Sequence, residues 1–264
     1  MKYLGGKSKI RKEVSTFLEG VRKHNQVYFE PFTGGGWILQ EMKGERIASD
    51  GNKALINMYR ALQEGWIPPE FVSEDDYNFT VTTDADTPLT AFTNVACSWG
   101  AKWKGGYARG KTPVGVWRNY AKESKNNIEK QLPAIKDVEF TQGLYNEHTP
   151  EDMLVYCDPP YADTTQYGAF SGFDTDLFWD TMRKWVSQGN TVVVSEYKAP
   201  EDFICVKEMK SRMGLSTTRD KTRVVRTEKL FMHKSQVKAV TPVVQDNNVT
   251  SVDIINKEEE LIET

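Results

Sequence analysis

Phe29-Glu30-Pro31-Phe32-Thr33-Gly34-Gly35-Gly36 decides how this chain folds, because a β-rich stretch, Gln26 to Phe32, breaks at Pro31 into three consecutive glycines. Proline removes the donor that a continuing strand needs, and glycine permits a tight turn that a ligand can approach closely. Arg46 to Asp50 reads as a second short strand, so the order is strand, Gly-rich turn, helix, strand. A doubly wound α/β nucleotide site begins in this way. Upstream, Ile10, Val14, Phe17, Leu18 and Val21 recur at helical spacing behind Ser8, a candidate N-cap that puts Lys7 near the helix start. Downstream, Leu55, Met58, Tyr59 and Leu62 predict a helix over Lys53 to Glu64, ended by Gly65, Pro68 and Pro69.

Beyond it the pattern turns polar, aromatic and Gly-rich as far as Lys136, with a basic loop or hairpin at Lys102 to Lys111 and a helix near Val116 to Leu132. This stretch reads as an inserted domain. The α/β alternation resumes with strands at Val138 to Gln142, Met153 to Cys157 and Thr191 to Ser195, and a helix carrying Leu177, Phe178, Met182, Trp185 and Val186. Short buried strands of this kind suit a parallel sheet. Basic β-rich stretches around Val206 and from Arg223 to Met232 close the sheet as a hairpin, with Thr218 to Lys221 as its loop. After Lys234 no period is clear. The expected organisation is a core from 1–54 and 137–234, a mostly helical insertion at 55–136, and an acidic, low-order tail at 235–264.

Met153-Leu154-Val155-Tyr156-Cys157 runs straight into Asp158-Pro159-Pro160-Tyr161, so a carboxylate, a stiff turn and an aromatic ring meet at a strand's exit. Two prolines lock φ and offer carbonyls without competing N–H donors. The Asp158 carboxylate and Pro159 carbonyl can then both act as acceptors in one cleft, beside Tyr161. An amino group fits there. Tyr167, Phe170 and Phe173 follow in a loop that either covers the cleft as a lid or packs as an ordinary loop.

Several nucleotide motifs are excluded by single residues. In a P-loop ending at Gly6-Lys7-Ser8 the first glycine would fall on Met1. A dinucleotide fingerprint on Gly34 and Gly36 would require glycine at Leu39. A ligand without phosphates does not need that third glycine, so the turn serves either such a cofactor or packing alone. Asp50 lies 16 residues after Gly34. That is close to the spacing of about 20 at which an acid reaches ribose hydroxyls. Its plainer alternative is a turn former or cap before Lys53.

The net charge of −3 hides its distribution. Residues 97–130 carry eight bases against two acids and 207–234 nine against three, while 235–264 holds six acids and two bases. The two basic stretches are either solvated faces or footprints for a polyanion. Trp99, Trp103, Tyr107, Trp117 and Tyr120, interleaved with Lys102, Lys104, Arg109, Lys111 and Arg118, favour nucleic acid. Cys97, Cys157 and Cys205 are too scattered for a disulfide framework and read as reduced structural thiols. His24, His148 and His233 form no metal-ligand spacing, so no metal is expected. A hydrophobic content of 39% supports a sizeable core, and the absence of a long apolar run or leader predicts a soluble protein acting in a cytoplasm, without a membrane. No obligate protein partner is evident.

The Asp158 tetrapeptide resembles motif IV of the amino-methylating DNA methyltransferases. Tyr3-Leu4-Gly5-Gly6-Lys7, the glycine stretch 29–36 and Asp50 in Ala48-Ser49-Asp50-Gly51-Asn52 narrow the resemblance to the DNA adenine N6-methyltransferases of the D12, Dam-like class, in the α arrangement of parts. It covers most of 1–234, is weaker over Cys97 to Tyr107, and is absent past about Lys234. It implies a Rossmann-like methyltransferase core, S-adenosyl-L-methionine as cofactor, and transfer to a flipped-out adenine of double-stranded DNA. By the same resemblance Asp158, Pro159, Pro160 and Tyr161 are catalytic. Tyr3, Lys7, Glu30, Pro31, Phe32, Gly34, Gly36, Asp50 and Asp158 hold the cofactor, and Lys102, Lys104, Tyr107, Arg109, Lys111 and Arg118 face DNA. The family's usual aromatic at Tyr3 is often Trp, a mild departure. Alternatives are N4-cytosine methylation, where the family pattern usually has Ser at position 158, an RNA adenine methyltransferase, and an inactive DNA-binding module. A bacterial cell or a phage's host would be the setting, in a restriction system or alone.

Overall fold

The computed structural model describes residues 3–160, 173–212 and 225–237. Seven strands, β1 Tyr28–Glu30, β2 Arg46–Asp50, β3 Glu139–Gln142, β4 Leu154–Cys157, β5 Thr191–Glu196, β6 Phe203–Arg212 and β7 Val225–His233, form one sheet in the order β3-β2-β1-β4-β5-β7-β6. Neighbours from β3 to β5 pair parallel, whereas β7 runs antiparallel to both β5 and β6. This is the expected α/β, Rossmann-like core. The chain starts at the sheet's centre, runs outward to β3 and returns to β4 beside β1. That reversal leaves a crevice at the carboxyl ends of β1 and β4, where ligands bind in open α/β sheets. The glycine turn follows one of these strands and Asp158 the other.

Six α-helices, α1 Arg11–Val21, α2 Lys53–Gln63, α3 Glu74–Thr83, α4 Pro88–Ala96, α5 Tyr120–Ile135 and α6 Thr175–Ser187, and three single-turn 3-10 helices accompany the sheet among the described residues. On one sheet face Tyr28, Ala48, Phe140, Leu154, Tyr156, Val193, Leu230 and Met232 share a core with Val14 and Leu18 of α1, Leu55 and Tyr59 of α2, Phe92 of α4 and Ile128 of α5. On the other, Phe29, Val155, Cys157, Val192, Val194 and Phe231 pack against Phe178, Met182 and Trp185 of α6. The strict alternation along each strand follows from the period of two. Strand β4 is buried at every position because both faces are covered.

Local chemistry sets the boundaries. Asn52, Ser73, Thr87, Asn119 and Asp174 each accept a backbone N–H in the first turn of α2, α3, α4, α5 and α6. Ser8 is not the cap of α1: residues 8–10 make a turn, Ile10 occupies the cap position without a side-chain bond, and the Ser8 carbonyl accepts from Arg11 at 2.6 Å. The helix expected between the glycines and β2 is replaced by successive turns, in which the amides of Gly36, Gln40 and Glu41 bond to the carbonyls of Thr33, Gly36 and Ile38. Gly36 stands there at φ +63°, incompatible with a regular first turn, while Ile38, Leu39 and Met42 are still buried.

Within 55–136, α2 lies against the sheet, where the Arg60 guanidinium donates to the Phe140 carbonyl at 2.6 and 2.9 Å. The basic loop carries two isolated bridges, Ser98 with Tyr107 and Lys111 with Trp117. Residues 235–237 pack at the start of β5, with Val237 buried and the Gln236 amide bonded to the Asn190 carbonyl at 2.8 Å. The rest of the tail, the hairpin loop and the candidate lid residues Tyr167 and Phe170 lie outside the described residues. Phe173 packs among Phe32, Tyr145 and Phe178. Among the described residues no helix is long and apolar enough to cross a membrane, and no cluster of His, Cys, Asp or Glu could hold a metal ion. Cys97 and Cys157 are buried free thiols and Cys205 is an exposed one.

Candidate active site

The crevice is a cleft of about 1230 Å³, counting the part open to solvent. Tyr3 to Lys7, Glu30 to Gly35, Trp37, Ile38, Asp50 to Asn52 and Asp158 to Pro160 line it, together with Ala101, Trp103, Leu144, Tyr145 and Phe173. Of the expected cofactor residues only Gly36 stands back from the wall.

Tyr3 lies directly over the glycine turn. Gly34 has φ +47° and a Cβ there would come 3.2 Å from the Tyr3 ring; one on Gly35 would come 2.9 Å from the Tyr3 Cβ. Glycine is therefore what lets the N-terminal segment close on the turn. From beneath, Tyr59 on α2 donates to the Gly34 carbonyl at 2.9 Å, and the Gln131 amide on α5 donates to the carbonyls of Gly35 and Gly36 at 3.0 and 2.8 Å. Residues of α2 and α5 thus brace the turn. Neither Tyr59 nor Gln131 was singled out from sequence, since a braced carbonyl leaves no local signature.

At the end of β2 the two oxygens of Asp50 accept the amides of Gly34 and Asn52, each at 2.9 Å. Burial raises its pKa, partly opposed by those two bonds. Glu30 is 3% exposed, and Tyr28 donates to its carboxyl at 2.7 Å. Burial pushes its pKa up to about 8, against the Tyr28 hydrogen bond and with the repulsion of Asp158 added. Glu30 is thus largely protonated at neutral pH.

Lys7, which the resemblance assigns to the cofactor, has its ammonium 2.8 Å from the Asp158 carboxylate and 3.6 Å from that of Glu228. Its side chain is 4% exposed against 20% for Asp158. Burial lowers its pKa, but the charges of Asp158 and Glu228 and the hydrogen bond outweigh this, and the net direction is upward. A protonated lysine therefore sits against the carboxylate at the strand's exit. Glu228 was not identified from sequence, although Glu228, Leu230 and Met232 alternate along β7 onto one core face, which marks a charge out of place. Pro159 and Pro160 line the cleft beside Asp158, and Tyr161 lies outside the described residues.

The expected DNA face is exposed but internally paired. Lys104 bonds Asp84 at 2.6 Å, Arg109 pairs with Glu74, and Arg118 pairs with Glu123. Lys111 lies over the Trp117 ring at 4.7 Å, Arg118 over Tyr120 at 4.6 Å, and Lys102 is partly exposed. Tyr107 donates to the Val72 carbonyl at 2.8 Å and packs on the core. Glu74 and Asp84 lie outside 97–130, so the charge counted along the chain is partly cancelled in space. Exposed pairs of this kind are worth only about 0–1 kcal/mol, so a phosphate can displace the carboxylates. Trp99, Val114 and Trp117 remain 62%, 85% and 65% exposed.

Several known proteins are similar to this chain in sequence. The chain is 23% identical over 208 residues to a type II methyltransferase, M.MjaIII, of Methanocaldococcus jannaschii, covering 66% of this chain and 72% of that one. Against a DNA adenine methylase of Haemophilus influenzae the identity is 25% over 207 residues, covering 67% and 68%, and against one of Vibrio cholerae it is 26% over 200, covering 66% and 68%. The family model for D12 class N6 adenine-specific DNA methyltransferase matches residues 3–83 and 101–213, leaving out the whole of α4. Because that match takes in the N-terminal segment, the glycine turn, Asp50 and the exit of β4 together, the chain belongs to the D12 class N6 adenine-specific DNA methyltransferases.

Proposed function

We propose that this adenine-specific DNA methyltransferase binds S-adenosylmethionine in the crevice between β1 and β4 and methylates an adenine flipped out of double-stranded DNA, with Asp158 and the Pro159 carbonyl as acceptors. The observation that carries the reading is the placement of Asp158 at the rim of the same cleft that the glycine turn, Tyr3 and Asp50 line.

The walls suit that cofactor. It has no phosphates, and the amides of Gly34 and Gly36 donate to Asp50 and to the Thr33 carbonyl rather than pointing at an anion. Asp50 would bind ribose hydroxyls, and Tyr3, Phe32, Trp37 and Ile38 would cover apolar surface. When bound, the cofactor supplies an electrophilic sulfonium methyl group. Asp158 and Pro159 would take the two hydrogens of the exocyclic amine, whose lone pair is otherwise delocalised into the ring, and so favour a pyramidal nucleophilic nitrogen. The Asp158 carboxylate also opposes the positive charge that develops on that nitrogen. Tyr161 would stack on the extruded base, a step that costs a few kcal/mol of unstacking. Holding both reactants in one cleft supplies much of the rate.

In this reading residues 1–54 and 137–234 form the catalytic unit and 55–136 the recognition segment, whose Lys102, Lys104, Tyr107, Arg109, Lys111 and Arg118 approach the duplex. The enzyme acts in a cytoplasm without an obligate partner. Incubation with labelled S-adenosylmethionine and mixed-sequence duplex DNA should yield N6-methyladenine on nucleoside analysis. Recovery of N4-methylcytosine alone, or preferential labelling of competing RNA, would reject the reading.

A further inference from the structure

We propose that Glu228 on β7 is a positioning residue for adenine methylation, acting through Lys7 to keep the Asp158 carboxylate a strong hydrogen-bond acceptor aimed into the cleft. The inference rests on the acceptor role of Asp158.

Three remote segments converge on one buried ammonium: the N-terminal loop brings Lys7, the exit of β4 brings Asp158, and β7, two places away in the sheet, brings Glu228. Glu228 stands on the sheet face where Leu230 and Met232 are wholly buried, and it is itself 9% exposed. A carboxylate placed there loses hydration that an apolar side chain would not need, so the position is costly unless the charge is used. Its register partner on β6 is Met209, another buried apolar residue.

What the arrangement can do follows from its charges. Lys7 alone would neutralise Asp158 and weaken it as an acceptor. A second carboxylate 3.6 Å from the same ammonium shares that positive charge, so Asp158 is less fully neutralised by Lys7 and keeps its affinity for donors. Glu30 on β1 and Tyr156 and Cys157 on β4 are each held toward their uncharged forms by burial. The isosteric substitution Glu228→Gln removes one carboxylate from the Lys7 ammonium with little change of shape.

The test combines a titration with a double-mutant cycle. In protein labelled with 13C at aspartate, without cofactor, Glu228→Gln should lower the titration midpoint of Asp158 by about one pH unit. It should also reduce the single-turnover methylation rate about tenfold, with unchanged affinity for S-adenosylmethionine by calorimetry. In a Lys7→Met background the same substitution should no longer lower the rate, because its effect passes through Lys7. An Asp158 midpoint that does not move, or a rate loss that persists undiminished in the Lys7→Met background, would overturn the proposal. Failure of the underlying reading is separable: it would show as an Asp158→Ala variant that still turns over within tenfold of wild type.

Discussion

The two faces of the central sheet are built from the same strands and do opposite things. Behind β1, β4 and β5, Phe29, Val155, Cys157, Val192 and Val194 meet α6 in a core without a charged side chain. In front, the upper end of each strand turns polar: Tyr28 and Glu30 on β1, Tyr156 on β4, Ser195 on β5 and Glu228 on β7 are all buried beneath Lys7 and Asp158. The face behind is packing alone, and the face in front, which carries the larger core, gives up part of its upper end to hold charges in place. Both faces should therefore contribute stability, with the chemistry confined to the front.

The largest effect that would break this division is on catalysis. Asp158→Ala should lower the methylation rate by about a thousandfold or more, as removal of an acceptor for developing charge does. Its melting temperature should stay near wild type; turnover within tenfold would end the acceptor role. Behind the sheet, Trp185→Ala should destabilise by about 3–5 kcal/mol in denaturant unfolding, because it empties a fully buried site. A loss below 1 kcal/mol would show that packing on this face contributes little to stability.

A smaller effect sharpens the contrast through pH. Glu30 binds its proton more tightly folded, with a pKa of about 8 against an ordinary 4.5, so between those values the folded state holds a proton that the unfolded chain has released. Stability should then fall as pH rises through that window, by up to about 1.4 kcal/mol per unit for one such group. Asp50, raised in the same direction, adds to the trend. Glu30→Gln should flatten the slope measured by denaturation at pH 5.5 and 7.5, and an unaltered slope would refute the assignment. Smallest is the outer surface. Neutralising Lys102, Lys104 and Arg109 together should weaken duplex binding and reduce the slope of log affinity against log salt by about 2–3, since each phosphate contact releases counterions. An unchanged slope would remove this loop from the DNA face.

Much of the front face could be read from the chain. The break at Pro31 into glycines, Asp50 at the end of β2 and the proline pair after β4 are local features whose geometry does not depend on distant partners. The alternation from β3 to β5 likewise gave the sheet and its crevice. What escaped notice was carried by contacts across the sequence: Lys7 against Asp158 is a separation of 151 residues, and Gln131 under Gly35 one of 96. The turns after the glycines replaced a helix because the positive φ of Gly36 is a property of packing against Tyr59 and Gln131. Charge counted along 97–130 overstated the basic surface because Glu74 and Asp84 arrive from another helix and its exit.

The most direct measurement is a crystal structure of the protein with a short duplex containing its methylation site and a non-reactive analogue of S-adenosylmethionine. The extruded adenine should place N6 within hydrogen-bond reach of the Asp158 carboxylate and the Pro159 carbonyl, with Lys7 still bridging Asp158 and Glu228. An adenine whose N6 is held by other groups, with Asp158 turned away from the base, would contradict the account.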